Sequence, residues 1–263
     1  MGGTEVTVVT MSSAPAFATP IRARFVVLIA VLSMAALVPP TAARAVDAPS
    51  SAGAIPAAVQ ALPLTTRQAV RVTRTNRWCG RIYCTQVHAW QRSSAGQWKR
   101  IAISGRALAV RSQIGPAGFA PAGQKRQGDM RTPTGVYRIA TTFSVGPNPG
   151  TKMPWRQRLA TTTVSNRYGR YYNTWIQERG RTDGTRPAMR YGLWVAYNNP
   201  RLSPDVGPAP VRGLGSGIFF HVGKPGYEYQ PSEGCVQLPN VADMKWLMLW
   251  LDPKSRPRIL LNR

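Results

Sequence analysis

Short runs in which apolar and polar residues alternate dominate the chain from about Gln68 onward. They are Ala69 to Arg74, Ile82 to Trp90, Trp98 to Ile103, Gly135 to Thr142, Ala160 to Val164, Leu193 to Tyr197 and Ile218 to His221. A period of two places every second side chain on one face, so each run predicts a half-buried strand. Turn-forming clusters separate them, among them Ser93-Ser-Ala-Gly96, Gly146-Pro-Asn-Pro-Gly150 and Asn198-Asn-Pro200. One segment changes period. Val241, Met244, Leu247, Met248 and Leu251 recur at helical spacing behind Asn240, a good N-cap, with Asp243 in the first turn and Asp252-Pro253 as the stop. Arg258 to Leu261 reads as a final strand. The pattern shows no internal repeat and predicts one mainly β domain of short strands over residues 68–263, with one C-terminal amphipathic helix.

The first part of the chain is different. Arg22 and Arg24 precede the apolar run Phe25 to Val38, then Pro39-Pro40 and the small-residue triplet Ala43-Arg44-Ala45. That order predicts a secretory signal peptide over residues 1–45, with Met11 as an alternative start. The apolar run falls short of the roughly 20 residues that a membrane helix needs, and no later stretch approaches that length, so no membrane span is expected after cleavage. Val46 to about Thr66 is rich in Ala, Pro and Ser, and residues 46–67 read as a linker. The expectation is an exported, monomeric protein of the cell wall, periplasm or extracellular space.

Composition narrows the function. The 263 residues are 43% hydrophobic and include 8 Trp, 9 Tyr and 6 Phe, enough to build a core and exclude simple basic disorder. Lys and Arg number 34 against 10 Asp and Glu, a formal net charge of +24. Such an excess invites phosphate binding, but the bases are scattered and form no long run, which favours a solvated basic surface over a specific nucleic-acid site. With 2 His and 3 Cys, zinc arrays and iron–sulfur clusters are hard to assemble, and neither a metal nor a cofactor is expected.

Export gives the cysteines meaning. Cys79 and Cys84 flank a predicted hairpin turn and can pair in an oxidising compartment; a metal site with His88 lacks a fourth ligand, and His88 reads as structural. Cys235 is then odd. It sits in Ser232-Glu233-Gly234-Cys235, after a strand ending in His221 and a Gly/Pro-rich loop. A thiolate beside an imidazole is a nucleophile with its base, and the adjacent glycine lets backbone N–H groups approach an oxyanion. A His fourteen positions before a Cys is weak evidence by itself, and residue spacing alone favours a buried inert cysteine.

This segment resembles the L,D-transpeptidase catalytic domain family of bacterial cell-wall enzymes, whose hallmark is a strand-terminal His, a variable loop and Ser/Thr-x-Gly-Cys. The likeness extends to the run from Gly118 through Gly128-Asp129 and Thr132-Pro-Thr-Gly135, to Gly215-Ser-Gly-Ile-Phe-Phe-His221, and to Trp250-Leu-Asp-Pro253. The resemblance implies that Cys235 is the nucleophile and His221 its base, that Gly234 and Cys235 offer oxyanion N–H groups, and that Ser232 shapes the loop. The implied fold is a β-sandwich of short mixed strands with one C-terminal amphipathic helix after the nucleophile loop, and the implied substrates are peptidoglycan stem peptides, in a setting of anionic wall polymers. The implied reaction cleaves a stem tetrapeptide through a thioester and passes the acyl group to an amine, giving a 3→3 cross-link, or to water. The chain departs from the family pattern at Glu233, where His is common, at Gln237, where Arg is common, and at Val222, whose side chain cannot orient the imidazole. A non-catalytic wall-binding module of the same fold is the competing reading.

Overall fold

The computed structural model describes residues 54–79, 82–180 and 187–262. The expected signal peptide and the first part of the expected linker lie outside these residues. Among the described residues no helix is long and apolar enough to cross a membrane.

Among the described residues twelve strands carry the fold: β1 Gln68–Cys79, β2 Ile82–Arg92, β3 Trp98–Ile101, β4 Val110–Ser112, β5 Gly135–Ser144, β6 Trp155–Gln157, β7 Thr162–Val164, β8 Trp175–Gln177, β9 Tyr191–Val195, β10 Phe219–Val222, β11 Val236–Leu238 and β12 Arg258–Asn262. A short helix, α1 (Ala57–Gln60), precedes them, and α2 (Val241–Trp250) lies between β11 and β12. The main sheet has the order β11-β10-β9-β5-β12-β1-β2-β3, with β4 on β2 and β6 on β5; β7 and β8 form a separate pair. The sheet is mixed, since β1/β12, β10/β11 and β5/β6 run parallel. Gln113, next after β4, bridges Gln237 in β11 through two backbone hydrogen bonds of 2.9 and 2.8 Å. One end of the sheet is thereby stitched back to the other, closing a sandwich over the main core.

Alternation explains what fills that core. Val70 and Val72 from β1, Val87 and Ala89 from β2, and Ile259 and Leu261 from β12 all bury their inward faces. Met244, Leu247, Met248 and Leu251 cover them from α2, as the helical spacing predicts. Asn240 caps that helix, its side chain accepting the Ala242 N–H at 2.8 Å. At the far end Gln68 donates to the Trp250 carbonyl at 2.8 Å and accepts the Asp252 N–H at 2.7 Å, so two loose backbone groups are satisfied by one side chain. The outer face of α2 also carries apolar side chains, the stacked Trp246 and Trp250 and the exposed Leu249.

Two expectations change. The linker reading fails over residues 54–67: Val59, Leu62 and Thr66 are buried, and α1 packs with Ala69, Trp90, Trp98 and Leu260 on the outer face of the sheet. That segment is part of the domain. Between Cys235 and the terminal helix the structure adds a strand, β11, which spacing did not separate from the helix that follows. The Cys79–Cys84 pair is a disulfide with a Cα–Cα distance of 4.9 Å, which removes both thiolates from any metal site. His88 is buried, its Nδ1 beside the Leu108 carbonyl and the Arg100 guanidinium. Burial and the Arg100 charge push its pKa down to about 4.

Candidate active site

Strand β10 is buried along its whole length and delivers His221 to the end of the sheet. The parallel neighbour β11 pairs Phe220 with Val236 and His221 with Gln237. Cys235, one position before Val236, therefore comes alongside Phe219. Its sulfur lies 3.4 Å from the Phe219 nitrogen, an acceptor contact, and 3.4 Å from the Gly217 carbonyl, to which the thiol donates. The space beside His221 depends on Gly192, its partner in β9. A Cβ there would meet the Phe143 ring at 2.4 Å and the His221 Cβ at 2.9 Å.

The nucleophile loop is clamped by the segment that leads into β5. Buried Thr132 donates its hydroxyl to the Gly234 carbonyl at 2.9 Å and accepts the Gly115 N–H at 3.0 Å. Gly234 has φ +130°, and a Cβ on it would lie 2.7 Å from the Arg131 carbonyl oxygen. Only glycine fits that approach. Ser232 turns the same loop inward, its hydroxyl donating to the Cys235 carbonyl and accepting the Gly234 N–H at 3.3 Å. The Gly234 N–H is therefore directed at the Ser232 hydroxyl.

His221 is 4% exposed. Its Nδ1 faces the Val222 carbonyl at 2.8 Å and the Ala188 carbonyl at 3.3 Å. A carbonyl only accepts, so Nδ1 carries the proton and Nε2 is the basic nitrogen. Backbone thus does the orienting that the Val222 side chain cannot. Burial lowers the His221 pKa, helped by the Arg158 charge, so the ring is neutral at neutral pH.

The thiol is shifted the other way. Cys235 packs beside an aromatic cluster of Phe143, Trp194 and Phe219, with Trp175 stacked on Phe219 at 5.0 Å. Burial pushes the thiol up to about 11, and the Glu233 charge adds to the rise; the Phe219 N–H and Lys125 oppose it. At rest the site holds a neutral thiol and a neutral imidazole, both favoured by their dry surroundings. Such a pair can act by general-base catalysis, the imidazole taking the proton as sulfur attacks.

His221 and Cys235 open into one cavity of about 640 Å³, whose walls also include Lys125, Arg158, Ser232, Glu233 and Gln237. That volume suits a peptide segment. Lys125 is held by an ion pair to Asp129 at 2.6 Å, and Asp129 also accepts the backbone N–H groups of Arg126 and Arg131. This is the structural content of the Gly128-Asp129 element: it folds a segment that contributes Lys125, Gln127, Gly128 and Met130 to the cavity wall. Arg158, almost fully buried, was not singled out from sequence. It directly follows the three-residue strand β6, in a stretch too short to show periodicity, and no spacing marks it.

Comparison with known families matches residues 85–259 to the L,D-transpeptidase catalytic domain. The chain belongs to that family. The match begins within β2 and ends within β12, taking in the Thr132 clamp, His221 and Cys235. As an L,D-transpeptidase family domain the chain also carries α1 and β1, which precede the matched span. No curated protein and no solved structure matches it.

Proposed function

We propose that the protein is an exported L,D-transpeptidase that cleaves peptidoglycan stem tetrapeptides through a Cys235 thioester. The observation that carries this reading is the shared cavity of Cys235 and a His221 whose Nδ1 is fixed by backbone, leaving Nε2 as base. In the first half-reaction Nε2 takes the thiol proton while sulfur forms a bond to the carbonyl carbon of the third, diamino-acid residue. The imidazolium then protonates the departing D-Ala nitrogen as the C–N bond breaks. With the Gly234 N–H turned to Ser232, the Cys235 N–H is the loop donor for the developing oxyanion. The thioester keeps the energy of the broken amide available for transfer to an amine or to water, where no nucleotide supplies it. Basic surface charge holds the enzyme among anionic wall polymers by attraction that salt weakens.

Incubation with a purified tetrapeptide donor, with and without an amine acceptor, tests the reading. Release of D-Ala with formation of cross-linked dimer or tripeptide is expected; a folded protein that forms neither contradicts it. The second reading, a non-catalytic wall-binding module, draws on the raised thiol pKa. It requires salt-sensitive wall binding that is unchanged in Cys235→Ala, with no muropeptide product.

A further inference from the structure

Acids are scarce in this chain, and the described ones are almost all engaged. Asp129 pairs with Lys125, Asp205 with Arg138 and Arg258, Asp243 with Arg106, and Asp252 with Lys152. Glu228 accepts the Gly226 N–H, and Glu178 also has a partner. Glu233 alone among the described acids makes no hydrogen bond or ion pair, although bases outnumber acids 34 to 10 in the chain. It is exposed, and it is the one carboxylate among the described residues lining the cavity, two positions from the nucleophile. Its charge works against thiolate formation at Cys235. An unpaired carboxylate that burdens the first half-reaction calls for a role in the second.

The cavity supplies the reason. Its other charged walls, Lys125, Arg158 and Lys224, are cations, and the whole protein carries +24. An alkyl amine acceptor has a pKa near that of lysine, about 10.4, and arrives as an ammonium ion that such walls repel. Water meets no such barrier. Resting on the transpeptidase reading above, we infer that Glu233 is the binding site for the acceptor's ammonium group and sets the choice between amine and water at the thioester. Held there, the ammonium releases one proton to water and the free amine forms the new C–N bond at the acyl carbon. The C–S bond breaks, and the amine's second proton passes through His221 to the departing Cys235 sulfur. Glu233 is thus a specificity residue that selects a cationic acceptor.

The test follows the split between cross-linked and hydrolysed product while the acceptor concentration is varied, in the full-length wild type, Glu233→Gln and Glu233→Asp. Glu233→Gln is expected to need about fivefold more amine acceptor for half-maximal cross-linking, with Glu233→Asp recovering part of the loss. Hydroxylamine, a nucleophile uncharged at neutral pH, should be used equally by all three, and added salt should weaken amine use in the wild type and in Glu233→Asp but not in Glu233→Gln. An unchanged amine requirement in Glu233→Gln, or an equal loss with hydroxylamine, overturns the role of Glu233 and leaves the transpeptidase reading standing. A folded wild type that releases no D-Ala from the donor overturns both.

Discussion

The Cys235 sulfur lies 3.4 Å from the backbone nitrogen of Phe219, two residues before His221 in the same strand. The parallel pairing of β10 with β11 creates that relationship, and it turns two residues distant in sequence into neighbours across a ladder. His221 thus sits within a strand and Cys235 at the end of a loop one residue before β11, both tied to the same ladder, an arrangement that can keep its geometry before a substrate arrives.

If His221 is the base, its loss should be felt in chemistry more than in folding. His221→Gln is expected to slow acylation of Cys235 by about 10²- to 10⁴-fold, while Cys235→Ala abolishes it. Rapid-quench mass spectrometry gives the acylation rates, and circular dichroism checks the fold. An acylation rate in His221→Gln within a few-fold of wild type would remove the imidazole from the mechanism.

The pH behaviour follows from the two shifts. His221 must be neutral to accept a proton, and its lowered pKa keeps it neutral below the ordinary histidine value of about 6.5. The acid limb of acylation by substrate should consequently fall at a pH below 6.5. Simple alkylation of Cys235 by iodoacetamide needs thiolate, and should keep accelerating up to about pH 11. A plateau in alkylation near neutral pH would instead reveal a preformed thiolate–imidazolium pair.

Thr132 holds the loop that carries Cys235 and is not among the residues lining the cavity. Thr132→Val keeps the shape but removes the donor to the Gly234 carbonyl and the acceptor for the Gly115 N–H. Leaving those groups unpaired should cost about 1–3 kcal/mol, read by denaturant unfolding. Acylation should slow as well, with its pH profile unchanged, because position rather than ionisation is altered.

The sequence carried much of this site. Strand periodicity, the stop of the last helix and the Ser232-Glu233-Gly234-Cys235 loop after His221 were all legible, because each is a local pattern. The clamp by Thr132, the diversion of the Gly234 N–H to Ser232 and the burial of Arg158 were not. The clamp and the burial depend on contacts across the fold, as does the Gln113–Gln237 bridge that closes the sheet, while the Ser232 bond is local but set by a loop conformation that no periodicity reveals. The packing of α1 was hidden for another reason: a four-residue helix in an Ala/Pro/Ser-rich stretch is too short to show a period.

The Cys79–Cys84 disulfide closes a short loop at the tip of the β1–β2 hairpin, so its stabilisation should be about 2 kcal/mol in the chain-entropy description. A double Cys79→Ser/Cys84→Ser variant should lose about that much in unfolding free energy and keep its acylation rate. A large loss of acylation at full stability would give the pair a role in the site.

Stability at low pH has a defined sign. Asp129 and Asp205 have carboxyl pKa values below the ordinary range; burial opposes the shift, and hydrogen bonds from Lys125 and from Arg258 outweigh it. Their contribution is present above the unfolded carboxylate pKa and disappears as pH falls through the lower folded values. Asp129→Asn should thus flatten the acid side of the stability profile; a profile as steep as wild type would deny Asp129 that role.

The account rests on Cys235 as an acyl-accepting nucleophile, and the mass of the intact protein after exposure to a carbapenem tests it most directly. One covalent adduct is predicted, present in wild type and in the Cys79→Ala/Cys84→Ala variant and absent in Cys235→Ala. An unmodified wild type, or an adduct that survives in Cys235→Ala, would contradict the account.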